Sequence, residues 1–323
     1  MNIATLTVHL QLSNSIKTLQ RQILDTQKEM SSGRKADLMA ALRDGAAQAV
    51  DLRNTLNEAT EFKTQSTLVG SRLDAMQSVI TGIKDIVEKA RTEALTATSP
   101  VGRQYVSEMA KTAIQQINSL LNTGVGGRFL FSGTATDTSP LQGSDVVNPA
   151  TGVSPNQAVA QVMASLGPIT DAASAAAVAN GVTSIFDNSN ADPNLQFSST
   201  FYNGATTGTV TARLDRGYEL DYGIQADDPA IREAMQGLYM LAAVPYASVP
   251  EDAFIAWQDE AVDHLLTGTQ ALVTLAGNVG YKQAAIAEAT ARHESTIAQL
   301  NTQIANLEAA DPYETSMRFS ELQ

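Results

Sequence analysis

The chain of 323 residues carries 34 acidic against 21 basic side chains, a formal net charge of −13, with no cysteine and only 5% aromatics. That balance excludes the basic footprint that nucleic acid or an anionic membrane surface requires, and the absence of cysteine excludes disulfides, thiolate catalysis and Cys-ligated metals together. A core poor in aromatics and rich in Ala, Ser, Thr, Asn and Gln suits close-packed helices better than a compact enzyme core.

The first residues, "MNIATLTVHLQLSNSI", hold no basic region, no apolar run and no small-residue cleavage site, so a cleaved secretory leader is not expected. No run of about 18 apolar residues suggests a membrane span. Leu12, Ile16, Leu19, Ile23 and Met30 follow helical three, four and seven spacing until "SSG" at 31–33 breaks the pattern. The stretch after it carries Asp37 and Asp44.

The strongest signal follows. Leu52, Ala59, Ser66, Leu73, Ile80, Val87 and Ala94 recur every seven residues, with Phe62, Val69, Met76, Ile83 and Ala90 as the partner series. One helix from about Ala46 to Thr98 would be about 75–80 Å long. Ser99-Pro100 supplies a cap and a first-turn proline. Val106, Met109, Ala113, Ile117 and Leu120 then predict a second helix that returns antiparallel and stops at Asn122-Thr123-Gly124.

Residues 140–226 change character. Gly, Asn, Ser, Pro and Thr are dense, helical period survives only in Ala-rich pieces near 156–180, and period-two alternation runs through Val210, Ala212 and Leu214, then Tyr218, Leu220, Tyr222 and Ile224. Asp228-Pro229 restarts helix through Met235, Leu238 and Leu241. From Phe254 to Leu307 a 3-4 pattern continues for about 55 residues, including Ile297, Leu300, Ile304 and Leu307. The predicted fold is mainly α: an elongated antiparallel helical bundle with a small inserted strand-containing outer domain. Its segments are 1–46 pairing with 287–323, a helical core of 47–139 with 227–286, and the insertion at 140–226.

The terminal seams bury little on their own, since a methylene contributes only about 0.8 kcal/mol. They are expected to pair with each other and with neighbouring copies, although an internal bundle would also satisfy them.

Candidates for chemistry are thin. His293-Glu294 begins a zinc-protease pattern, but the second ligand position is the apolar Ile297. Glu260 and His264 share a helix face without a third ligand, and are expected on a solvated surface. "GVGG" at 124–127 lacks the Lys-Ser/Thr of a phosphate loop and is expected to be a turn. No catalytic, cofactor or metal residues are assigned.

"GRFLFSGT" at 127–134 resembles the G-x-Y/F-L-F-S-G-T signature of bacterial flagellins, continued by "ATDTSPL" much as in the hook-associated members of that family. "EMSSGRK" at 29–35 is similar to its S-S-G-x-R segment, "NVGYKQAAI" at 278–286 to its V-G-x-R/K stretch, and "NLEAADPYET" at 306–315 to its L-x-D-x-D-Y-x-E ending. Pro312 departs from that ending and is expected to kink or cap the helix at Asp311.

The resemblance implies a structural flagellar subunit at the junction of hook and filament. It implies type III export without a cleaved signal and an extracellular location. The implied partners are hook-associated protein 1, flagellin, further copies of the chain and a cytoplasmic export chaperone. A filament subunit, or a cytoplasmic coiled-coil adaptor, is the alternative. Phe129, Leu130, Phe131, Ser132 and Gly133 are expected to pin the point where the chain leaves the helical body.

Overall fold

The computed structural model describes residues 3–38, 46–244 and 249–322; Asp44 lies outside them. Of the described residues, 71% are helical, and the sheets among them are two small antiparallel hairpins. The elements in order are α1 (Ile3–Ser32), α2 (Ala46–Thr96), α3 (Pro100–Leu121), β1 (Gly124–Val125), β2 (Arg128–Phe129), α4 (Pro155–Leu166), α5 (Ala172–Phe186), α6 (Phe197–Thr200), β3 (Thr211–Asp215), β4 (Tyr218–Asp221), α7 (Pro229–Ala243), α8 (Glu251–Glu308) and α9 (Pro312–Leu322). They form two compact units, one of residues 1–64 with 289–323 and one of 65–288.

In the 65–288 unit, the heptad positions become the core. Ser66, Leu73, Ile80, Ile83, Val87 and Ala94 on α2 are fully enclosed. Asp74 accepts from Gln283 Nε2 at 2.7 Å, and Ala94 O accepts from Gln258, so α2 and α8 run antiparallel. The Ser99 hydroxyl accepts from Gly102 N and Pro100 opens α3, as the cap signals predict. The face of α3 bearing Ala110, Ile114, Ile117 and Leu121 is buried against the bundle, and α7 packs along α3, where Ser107 Oγ donates to Ala242 O at 3.2 Å.

Helices α7 and α8 approach closely because two glycines face the contact. A Cβ on Gly268 would lie 2.6 Å from Ala234 N, and one on Gly237 would lie 2.7 Å from Leu265 Cγ. Trp257 sits beside this contact, enclosed, with Nε1 donating to Met240 O at 3.0 Å.

The inserted region is more helical than its composition implies. Ser154 with Gln157, and Asp171 with Ser174, form complete capping boxes that start α4 and α5. These two helices pair with each other and both reach α7. Phe186, Phe197, Phe201 and Tyr239 then cluster with ring centroids 5.0–5.7 Å apart, joining the insertion to the bundle through apolar area. Period-two alternation produces only β3 and β4, an antiparallel hairpin with a register shift between Arg213 and Asp215.

Candidate functional site

In the unit of residues 1–64 and 289–323, two motif segments meet. Gly33 ends α1 with φ +67°, a conformation that favours glycine. The freed backbone turns alongside the end of α8: Arg34 and Ala309 form an antiparallel bridge, Lys35 N donates to Glu308 O at 2.9 Å, and Ala310 N donates to Gly33 O at 3.0 Å. The Glu308 carboxylate, 4% exposed, pairs with Arg34 and Arg53. Asp311 Oδ1 then accepts from the Tyr313 and Glu314 amides, so the aspartate caps α9 and Pro312 occupies its first turn. Helix α9 packs on α1.

The predicted seam residues separate into two groups. Leu12, Ile16, Leu19 and Met30 are 47–57% exposed and Ile23 is half-buried. On α8, Leu300 is buried while Ile297, Ile304 and Leu307 are half-buried. Helix α1 therefore presents an open apolar stripe, and the C-terminal stripe is largely covered. Val8, Leu10, Leu24, Tyr313 and Met317 are also exposed apolar groups. Leu10 and Leu24 fall off the three-four seam, whereas Val8, four residues before Leu12, extends it.

His293 is buried and stacks on Phe62, ring centroids 5.5 Å apart. In the other unit, His264 is not on a solvated face. Its Nδ1 lies 2.7 Å from Glu233 Oε1, and its Nε2 lies 2.7 Å from Gln236 Nε2. The helix α7 passing beside α8 supplies both partners, which a one-helix reading cannot see. Among the described residues no cluster of three metal-ligating side chains exists, and no helix is long and apolar enough to cross a membrane.

The Phe-Leu-Phe knot lies at the base of the insertion. "GVGG" is a turn: Gly126 and Gly127 have φ +64° and +78°, and join β1 to β2. Phe129 is half-buried, while Leu130, Phe131 and Ser132 are buried. Leu130 N donates to Thr123 O, holding the segment to the end of α3. Phe131 O accepts from Ala226 N at 2.8 Å, and Ser132 bridges Gln225, so the outgoing and returning chains are tied together here. Gly133 sits at φ +62°, a conformation that side-chain-bearing residues rarely adopt, and a Cβ there would also displace the end of the Gln225 side chain, 2.7 Å away. Just past the return, burial raises the proton affinity of Asp227 and Asp228 above the usual carboxylate range, and the Asp228 carboxylate caps α7.

Beside the heptad helices, the tied Phe-Leu-Phe exit and the paired terminal segments, residues 3–136 match the family model of the bacterial flagellin N-terminal helical region. The fold is similar to that of two solved flagellar proteins. A Vibrio parahaemolyticus protein assigned to the flagellar hook-associated class matches with TM-score 0.55 at 12% identity, over 84% of this chain and 98% of its own. FlgL of Bacillus cereus matches with TM-score 0.53 at 11% identity, over 80% of this chain and 99% of its own. A search of curated protein sequences finds no match.

Proposed function

We propose that the chain is a structural subunit of the junction between flagellar hook and filament. The observation that carries this reading is the combination of a flagellin-type N-terminal region, running through the Phe-Leu-Phe knot, with the fold of hook-associated proteins over most of the chain. The subunit works by geometry rather than by bond chemistry. Residues 1–46 and 287–323 form the assembly coil, whose open stripe at Leu12, Ile16, Leu19 and Met30 is covered by neighbouring subunits. The helical core of 47–139 and 227–286 carries load between rings, and residues 140–226 face outward. Export proceeds unfolded through the type III channel with a cytoplasmic chaperone. The exported chain then seats on hook-associated protein 1 and receives flagellin above.

Deletion of the gene in the native bacterium, followed by electron microscopy and assay of flagellin in the medium, tests the reading. Bare hooks with intact flagellin leaking away are expected. Bare hooks without leaked flagellin would identify a filament subunit instead, and normal filaments would overturn the flagellar assignment in favour of an adaptor.

A further inference from the structure

Resting on that reading, we infer that copies of this chain contact one another head to tail through an arginine pair at the knot and an acidic stripe on α8. Arg72 and Arg128 line one shallow groove, floored by Met76, Phe129, Val210 and Tyr222. Arg72 donates to the Tyr222 hydroxyl at 2.8 Å, and neither guanidinium has a carboxylate within ion-pair range among the described residues. In a chain with 34 acids and 21 bases, two cations left over beside one apolar groove form a local inversion of the prevailing charge. A planar guanidinium over apolar ground is suited to bidentate capture of a carboxylate from another surface.

That complementary surface is present on the same unit. From Glu251 to Tyr281 the sequence has no Lys or Arg. Asp252, Asp259 and Asp263, spaced by seven and four, share one helix face, are exposed, and have no salt-bridge partner among the described residues. The groove lies near the level of Gln283, the residue that pairs with Asp74 close to Arg72. Twenty residues of helix separate Gln283 from Asp263, so the two patches stand about 30 Å apart along the bundle. One molecule cannot join them. Two different patches that fit each other on successive copies form a heterologous contact, the kind that closes rings or extends helical arrays. Opposite charge also steers the incoming copy into register.

The absence of cysteine makes the contact directly testable. A chain carrying both Arg128→Cys and Asp259→Cys is expressed in the deletion strain, flagella are isolated, and a short bismaleimide is added. A ladder of covalent multimers is expected, and it should vanish when either substitution is present alone. Incorporation at the wild-type level with no ladder overturns the contact and leaves the functional reading standing. Absence of the wild-type chain from flagella overturns both. Where the double variant is not incorporated, Arg72→Glu with Arg128→Glu is expected to block incorporation, and adding Asp259→Lys with Asp263→Lys to restore it; failure of the restoration refutes the contact.

Discussion

Two glycines of the same helix are predicted to answer the same substitution with opposite sign. Replacing Gly by Ala inside a helix contributes about 0.8–1 kcal/mol through lower backbone entropy in the unfolded chain. At Gly277 nothing lies within 4 Å of the added Cβ, so Gly277→Ala should stabilise by about that amount. At Gly268 the Cβ would meet Ala234 backbone atoms at 2.6 and 2.7 Å and Ala234 Cβ at 3.0 Å. Backbone cannot rotate away as a side chain can, so α7 must shift and the overpacking costs about 1–3 kcal/mol. The propensity gain offsets part of this, leaving Gly268→Ala neutral to about 2 kcal/mol destabilising. The gap between the two variants isolates the packing effect at about 1–3 kcal/mol. Urea titrations followed by fluorescence provide the assay, because Trp257 is the single tryptophan and is enclosed in the unit that holds both glycines. Equal stabilisation by both substitutions would refute the close approach of α7 and α8.

Other perturbations test other parts of the molecule. Burial raises the Asp228 proton affinity in the folded state, so the folded chain binds more protons than the unfolded one above the ordinary value of 3.8, and this group's contribution falls as pH rises through that window. Asp228→Asn keeps the cap but removes the charge; acidification from neutrality should therefore raise the urea midpoint of the wild type relative to the variant, and parallel curves would contradict the assignment. Asp311→Ala should cost about 0.5–2 kcal/mol in α9, read as faster hydrogen exchange at the Tyr313 and Glu314 amides with α7 unchanged. Glu308→Gln removes the partner of two arginines that are over half exposed, so the loss should be about 1 kcal/mol or less; unchanged exchange at Lys35 and Ala310 would argue against the clasp. Leu300→Asp places an unpaired carboxylate at a buried site, at several kcal/mol, and is expected to abolish incorporation into flagella while the Trp257 unfolding transition persists; normal motility would refute the seam.

The long helices were legible because about one buried residue per turn repeats, as Leu73, Met76, Ile80, Ile83 and Val87 show. Caps were legible for a similar reason: Ser99-Pro100 and Asp228-Pro229 act through their own backbone within three residues. What escaped the sequence depends on neighbours far along the chain. Gly268 inside a helix reads as a weakness until Ala234 is seen against it. His264 reads as solvated until α7 brings Glu233 and Gln236 to its two nitrogens. Phe186, Phe197, Phe201 and Tyr239 follow no common period, because they sit on α5, on α6 and its C-terminal end, and on α7, which meet only where the insertion folds onto the bundle. At the termini, spacing marked the stripe from Leu12 to Met30 as apolar, but spacing carries no information about whether a partner lies within the same chain.

The knot explains how a long excursion coexists with a regular bundle. Leaving at Ser132 and returning at Gln225, the chain would leave two loose ends at the bundle surface if nothing joined them. The bridge between these residues, together with the bond from Ala226 N to Phe131 O, closes the excursion at its base. Once the base is closed, the entropic cost of a longer insertion grows only logarithmically, at about 0.6 kcal/mol per doubling of length. The bundle then experiences the same anchored exit whatever the insertion contains. Two requirements follow for that exit: an apolar side chain deep enough to hold it, met by Phe131 at 0% exposure, and a residue free of Cβ where the strand turns outward, met by Gly133. An apolar knot next to a polar loop is the sequence form of those two requirements placed side by side.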